Sequence, residues 1–332
     1  MRFLPLATCA IVLMCGVATA QRDTVPCAID IPVNVIVPGG RLIRELKSEQ
    51  FVAKTKHHPL RVLTANDESG PRRILLVLEA GHGVPAKIRA VESSVVMDML
   101  SEARSQDSFA LLTARGPNKA LPFGSSSDAI ISAAKELETQ TGGNYPGGRG
   151  VLDVLLDGAE SFHEARPGDS IVLFTLGLES EHKVSYSRVR KELADRQIRL
   201  FGLQFGPVMA GSLEGGMLMF TPRGIDEWAS QAFFPNYEDL GNLSLGTGGY
   251  ALEENILGDF QRDYKISADK LEEIKTLASR MHSAIQEYYR LNIEPSRDPF
   301  SLDLTPNVRK KVPNALTIYP RQLQACSAAQ SR

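Results

Sequence analysis

The chain is short of net charge, of cysteine and of long apolar runs, and each shortage excludes something. Lys and Arg number 37 against 39 Asp and Glu, a formal net charge of −2. Such a balance lacks the positive field that nucleic-acid or anionic-membrane binding requires. The best basic run, Arg309-Lys310-Lys311, reads as a solvated turn. Past the leader, no stretch is long and apolar enough to span a bilayer. The six histidines (His57, His58, His82, His163, His182 and His282) contain no helical zinc pairing. No Gly-x-Ser-x-Gly elbow exists for a hydrolase nucleophile. Ser125-Ser126-Ser127 reads instead as a helix start ahead of Asp128. No internal repeat or low-complexity tract stands out.

Of the four cysteines, Cys9 and Cys15 fall in a leader. Arg2 opens it, Phe3 to Val17 is mostly apolar, and Ala18-Thr19-Ala20 fits a small-residue cleavage site. Residues 1–20 therefore read as a signal peptide cut after Ala20, which implies a secreted or periplasmic protein. Met14 before Cys15 argues against lipid attachment. Cys27 and Cys326 remain, at opposite ends of the mature chain. In an oxidising compartment they are expected to form a disulfide joining the termini. Closing so long a loop stabilises by roughly 5 kcal/mol in the chain-entropy model. Two free thiols in frayed ends are the other arrangement.

Residues 29–65 read as extended. Ile31, Val33, Val35 and Val37 alternate with other residues, as in a half-buried strand. Pro59 to Leu63 forms a second extended piece, and Asn66-Asp67-Glu68-Ser69-Gly70-Pro71 has linker composition. From Arg72 the pattern alternates between strands and helices. Apolar strands are predicted at Ile74–Leu78, Phe109–Thr113, Ile171–Thr175 and Leu200–Phe205. Helical stripes lie between them: Ile88, Val91, Val95, Met99, Leu100 and Ala103, then Leu152, Leu155, Leu156, Ala159 and Phe162. Thr247-Gly248-Gly249 leads into a last strand. A long helix follows, with Leu271, Ile274, Ala278, Met281, Ile285 and Tyr288 on one face. Ala315–Tyr319 is a final strand candidate. The expected fold is α/β, a doubly wound, mostly parallel sheet over residues 72–287. A small β module is expected beside it, made by residues 21–71 pairing with 288–332.

The feature with most chemical content is the strand Ile74–Leu78 running into Glu79-Ala80-Gly81-His82-Gly83. An acid and a glycine turn at a parallel strand's carboxyl end usually mark a site. Further pieces follow in order: Tyr145-Pro146-Gly147-Gly148-Arg149-Gly150-Val151-Leu152-Asp153, then Leu243 to Tyr250, then Tyr288-Tyr289-Arg290-Leu291-Asn292-Ile293-Glu294-Pro295. With Val33–Val37, Gly39-Gly40-Arg41 and Leu46 through Phe51, they resemble exported bacterial proteins carrying a von Willebrand factor A-type domain. The resemblance covers most of the mature chain.

Metal-binding members of that family carry a metal-ion-dependent adhesion site of Asp-x-Ser-x-Ser, a Thr and a second Asp. Mg²⁺ wants six oxygens in near-octahedral geometry. Matched residue by residue, the first Asp becomes Glu79 and the two Ser become Gly81 and Gly83. The Thr position falls on or next to Arg149, and the last Asp falls on Leu176. The resemblance thus implies a degenerate site with no metal and no cofactor. Two arrangements are open for the charges. Arg149 fills the vacated cation position and pairs with Glu79, or Arg149 points to solvent and the turn caps Glu79.

The expected role is a non-catalytic interaction or adhesion module for a protein or extracellular ligand. Its binding loops would hold Glu79, Gly81, His82, Gly83, Arg149, Leu176 and Glu179. Two rival readings remain. One is a Mg²⁺-dependent adhesion domain with a non-standard site. The other is a nucleotide-binding oxidoreductase using Gly81 and Gly83 of Gly81-His82-Gly83-Val84-Pro85-Ala86, with Arg115 at a 2′-phosphate. Glu79 with His82 is the candidate acid/base pair of an enzyme reading.

Overall fold

A computed structural model describes residues 29–37, 41–55, 58–81, 84–139, 149–176, 184–205, 240–254, 266–294, 300–301, 303–306 and 315–323. Four strands come first: β1 (Ile29–Ile36), β2 (Phe51–Lys54), β3 (Pro59–Leu60) and β4 (Val62–Glu68). The α/β layer follows with β5 (Arg73–Glu79), β6 (Ser108–Ala114), β7 (Ala120–Leu121), β8 (Ser170–Thr175), β9 (Arg199–Phe205) and β10 (Ala251–Glu254). Its helices are α1 (Ala86–Ser101), α2 (Ser127–Thr139), α3 (Val151–Ser161), α4 (Tyr186–Asp195), α5 (Leu240–Gly246) and α6 (Ala268–Gln286). The chain returns through β11 (Tyr288–Ile293), β12 (Phe300–Ser301), β13 (Asp303–Pro306), β14 (Leu316–Ile318) and β15 (Gln322–Leu323).

The central sheet has six strands in the order β10-β9-β8-β5-β6-β7. All its pairings are parallel except that of the short edge strand β7. The fold is α/β and doubly wound. Period-2 alternation along β5 divides the interior in two. Ile74, Leu76 and Leu78 face a core shared with α1, α2 and α6. Leu75 and Val77 face a second core built with α3, α4 and residues of α5. Burial on both faces is why these strands read as unbroken apolar runs. Helix starts are marked chemically: Ser126 Oγ accepts from Ala129 N–H before α2, and Ser267 Oγ from Lys270 N–H before α6.

A second, four-stranded sheet runs in the order β14-β1-β11-β4, and every pair is antiparallel. Three details depart from expectation. The stretch 66–68 is not linker but the end of β4, opposite Tyr288 to Arg290. Tyr288 is not on the helical stripe: α6 stops at Gln286 and Tyr288 opens β11. β1 is buried on both faces instead of one. Ile31, Val33 and Val35 join a third core with Tyr289 and Leu291, while Ile36 enters the α1–α6 core.

Polar groups seal the junction of the two sheets. Helix α6 ends here, and its last carbonyls need donors. Asn34 Nδ2 donates to Ala284 O (3.1 Å) and Glu287 O (2.8 Å). Arg72 donates to Ile285 O (3.1 Å) and Gln286 O (3.0 Å). Arg199, fully buried, donates to Asn34 Oδ1, to Ala284 O at 3.2 Å and to Gly248 O at 3.1 Å. Its guanidinium lies over the rings of Phe201 (4.7 Å) and Tyr288 (5.2 Å). Burial pulls its pKa down to about 10, still charged at neutral pH. No helix among the described residues is long and apolar enough to cross a membrane.

Candidate functional site

Strand order reverses between β5 and β8, since β6 lies on one side of β5 and the later strands on the other. In open α/β sheets the crevice at such a reversal, outside the strands' carboxyl ends, is where ligands bind. Glu79 is the last residue of β5 and sits in that crevice, 2% exposed.

Both oxygens of its carboxylate are engaged by the protein itself. Oε2 accepts from the Thr175 hydroxyl (2.5 Å) and from Leu176 N–H (2.9 Å), both at the end of β8. Oε1 accepts from Arg115 Nη1 at 3.0 Å, from the far side, just past β6. One carboxylate therefore ties together the ends of the three middle strands.

The partner is Arg115, not Arg149. Arg149 precedes α3, is largely exposed, and pairs with Asp157 while donating to Asp153 O at 3.4 Å. What links the two arginines is backbone: Arg115 N–H donates to Arg149 O at 2.8 Å. The register explains the choice. Glu79 pairs with Ala114 across β5 and β6, which leaves Arg115 one step beyond the acid. Arg115 adopts φ 57°, a left-handed conformation that costs an L-residue roughly 1–2 kcal/mol.

Gly81 in the first loop and Gly116 beyond β6 have a steric role. A Cβ at Gly81 would fall 2.6 Å from Arg115 Cβ and 3.0 Å from Arg115 O. A Cβ at Gly116 would fall 2.5 Å from Ala80 O. Two loops are pressed together, and serine at position 81 would push them apart.

Below this cluster lies a second carboxyl that sequence reading missed. Glu92 on α1 is buried, and its Oε1 has no hydrogen-bond partner. Burial, then the nearby Glu79 charge, pushes its pKa well above the usual carboxylate range. Glu92 falls within an apolar helical stripe, so periodicity masks it. Arg89, also buried, donates to Gly81 O and Leu137 O at 3.1 Å each and braces the same loop.

Of the residues expected here, Glu79, Gly81 and Leu176 converge at the crevice, and Arg149 lies beside it without reaching the acid. His82, Gly83 and Glu179 lie outside the described residues, as do Cys27, Cys326 and the leader. Among the described residues, no group of three or more His, Cys, Asp or Glu is gathered as a metal ion would need.

No family model matches the chain, and comparison with curated proteins finds no match. Solved structures resemble it. An aerotolerance-related membrane protein from Bacteroides fragilis is 14% identical at a TM-score of 0.40, over 64% of this chain and 98% of that one. BatB from Bacteroides thetaiotaomicron is 16% identical at 0.39, over 63% and 98%. Proximal thread matrix protein 1 from the mussel byssus, solved with a zinc-occupied MIDAS motif, is 15% identical at 0.43, over 70% and 50%. The chain thus spans half the length of the mussel protein.

Proposed function

We propose that this chain is a secreted or periplasmic, non-catalytic interaction module of the von Willebrand factor A type that engages its ligand without a divalent ion. One observation carries the reading: Glu79 spends both carboxylate oxygens on protein donors, and one donor is a guanidinium. The described residues do not fit a hexacoordinate cation. Gly81 offers no side-chain oxygen, and Leu176 contributes an N–H, a donor, where an acceptor is wanted. Arg115 supplies the positive charge itself.

The rival readings draw less support. A Mg²⁺-dependent site would have to displace Arg115 and strip Thr175 and Leu176 from the same acid. A dinucleotide site would need Arg115 for phosphate, whereas Arg115 is turned onto Glu79. In this reading residues 72–287 form the binding domain. Residues 21–71 and 288–332 form the supporting β module, with Cys27 and Cys326 bridged and residues 1–20 removed on export.

Thermal unfolding in Mg²⁺, Mn²⁺ or EDTA tests the proposal. A ligand at a hundred times its Kd stabilises by about 2.7 kcal/mol. No shift in Tm is expected at millimolar metal. A saturable rise would overturn the metal-free reading, and a rise with NAD(P) would restore the oxidoreductase one.

A further inference from the structure

We infer that His282, Gln286 and Asp107 form an acid-released clasp, which holds the end of α6 against the turn after α1 while His282 is neutral and opens when the imidazole gains a proton. The clasp lies beside the amino ends of β5 and β6, at the far end of these strands from Glu79, and does not depend on how the chain binds a ligand.

Hydrogen-bond chemistry fixes where this histidine carries its proton. Gln286 Nε2 lies 2.6 Å from Asp107 Oδ2 and 3.0 Å from His282 Nε2. A carboxylate only accepts, so the amide gives one N–H to Asp107 and has its second for the imidazole. His282 Nε2 is then the unprotonated, accepting nitrogen. The ring proton sits on Nδ1, facing Glu102 Oε2 at 3.4 Å. A second proton sets N–H against NH₂, two donors with nothing between them to accept. Turning the amide over does not repair this. Gln286 Oε1 is buried without a partner, and a flip would bring it to the imidazolium but also against Asp107, acceptor to acceptor. Asp107 is itself pinned: Oδ1 accepts from Arg72 N–H (2.8 Å) and Oδ2 from Arg104 N–H (2.9 Å). No orientation of Gln286 serves both a charged His282 and a charged Asp107, so protonation breaks one link.

The surroundings set the direction of the response. His282 is 2% exposed and meets the Phe109 ring of β6 edge-on at 6.5 Å. The turn after α1 presents Glu102, Arg104 and Asp107 to it. On α6, Lys275 is taken by Asp98 of α1 at 3.0 Å. Burial has the largest influence and pulls the His282 pKa below its ordinary 6.5, against the opposing pull of Glu102 and Asp107. The unfolded chain therefore takes up this proton first as pH falls. The clasp's contribution is fully present above 6.5 and is lost as pH drops through the folded value. Its position gives the release a consequence. Gln286 is the last residue of α6, and Ser279 on the same helix donates to Glu102 at 3.1 Å. The next residue, Glu287, pairs with Arg44 (3.3 Å) and Arg104 (3.5 Å). Acid thus loosens the point where α6, the turn after α1 and the antiparallel sheet meet.

The test follows full-length protein by NMR from about pH 8 to pH 5. Long-range ¹⁵N–¹H spectra read the tautomer and titration of His282, assigned through its contact with the Phe109 ring. Amide exchange, expressed as protection factors, reads the clasp. At the alkaline end the proton is expected on Nδ1. On acidification His282 should titrate below 6.5. Protection at residues 102–107 and 284–287 should fall with it by about tenfold, the worth of one buried hydrogen bond, while the first half of α6 keeps its protection. His282→Phe should abolish that acid-dependent fall, and Gln286→Ala, which removes the opposing donor, should raise the His282 pKa. A proton on Nε2 at the alkaline end, titration at or above 6.5, or protection that does not follow His282 overturns the inference. These three outcomes are read on the wild-type chain, so a variant that fails to fold does not shelter the proposal.

Discussion

The tie between Glu79 and Arg115 can be weighed by a double-mutant cycle of Arg115→Met, Glu79→Gln and the pair. Glu79 is 2% exposed, so Arg115→Met leaves a buried carboxylate without its countercharge. Breaking a buried pair from one side costs about 3–5 kcal/mol. Two features lower that. Thr175 and Leu176 still donate to Oε2, and Arg115 is itself one-quarter exposed. About 2–4 kcal/mol is expected. Glu79→Gln keeps one acceptor for Thr175 and Leu176 but turns an NH₂ toward the guanidinium, a clash of donors costing a similar amount. In the double variant that clash is gone and no charge is left buried. Its loss should fall short of the sum of the singles by about 1.5–3 kcal/mol, a coupling typical of contacting groups. Urea unfolding followed by circular dichroism gives all four free energies. Additivity within about 0.5 kcal/mol would refute the view that this pair holds the strand ends together.

Three further outcomes follow from the same geometry. Gly81→Ser adds a hydroxyl to the first loop but drives a Cβ into Arg115, so it should cost about 1–3 kcal/mol and confer no Tm response to Mg²⁺. Arg199→Ala removes the guanidinium that joins Asn34, Gly248 and the end of α6, and should cost about 3–5 kcal/mol in urea unfolding. Glu92 has a raised pKa in the fold, so the folded state holds its proton more tightly than the unfolded chain. Its contribution is fully present below the ordinary carboxylate pKa and is lost as pH rises through the folded value. Glu92→Gln should therefore flatten the decline in stability between the ordinary carboxylate pKa and the raised folded value. An unchanged pH–stability curve would mean that Glu92 is ionised in the fold.

The sheet was legible because its strands are buried on both faces. A run such as Ile74–Leu78 admits few other readings once glycine turns and amphipathic stripes flank it. Boundaries were missed where tertiary packing overrides composition. Asn66-Asp67-Glu68 has the chemistry of a linker, yet it is strand because β11 lies alongside and pairs with it. Tyr288 continues the helical spacing of α6, but the terminal carbonyls there are taken by Asn34, Arg72 and Arg199, and the chain turns into β11. The partner of Glu79 stayed open for a related reason. That Glu79 needs a cation in the crevice follows from its position. Which arginine supplies it depends on parallel register between strands some 35 residues apart. Arg149 was the candidate partner because it matched a motif position, with Arg149 in solvent the alternative, whereas Arg115 reaches the acid through adjacency to Ala114, the residue paired with Glu79. The glycine at 81 also changes meaning. Read along the chain, Gly81 is a missing ligand. Read in space, it is the residue that lets Arg115 come close enough to hold the acid. The contact that brings the guanidinium to Glu79 is also the contact that disfavours a serine at 81.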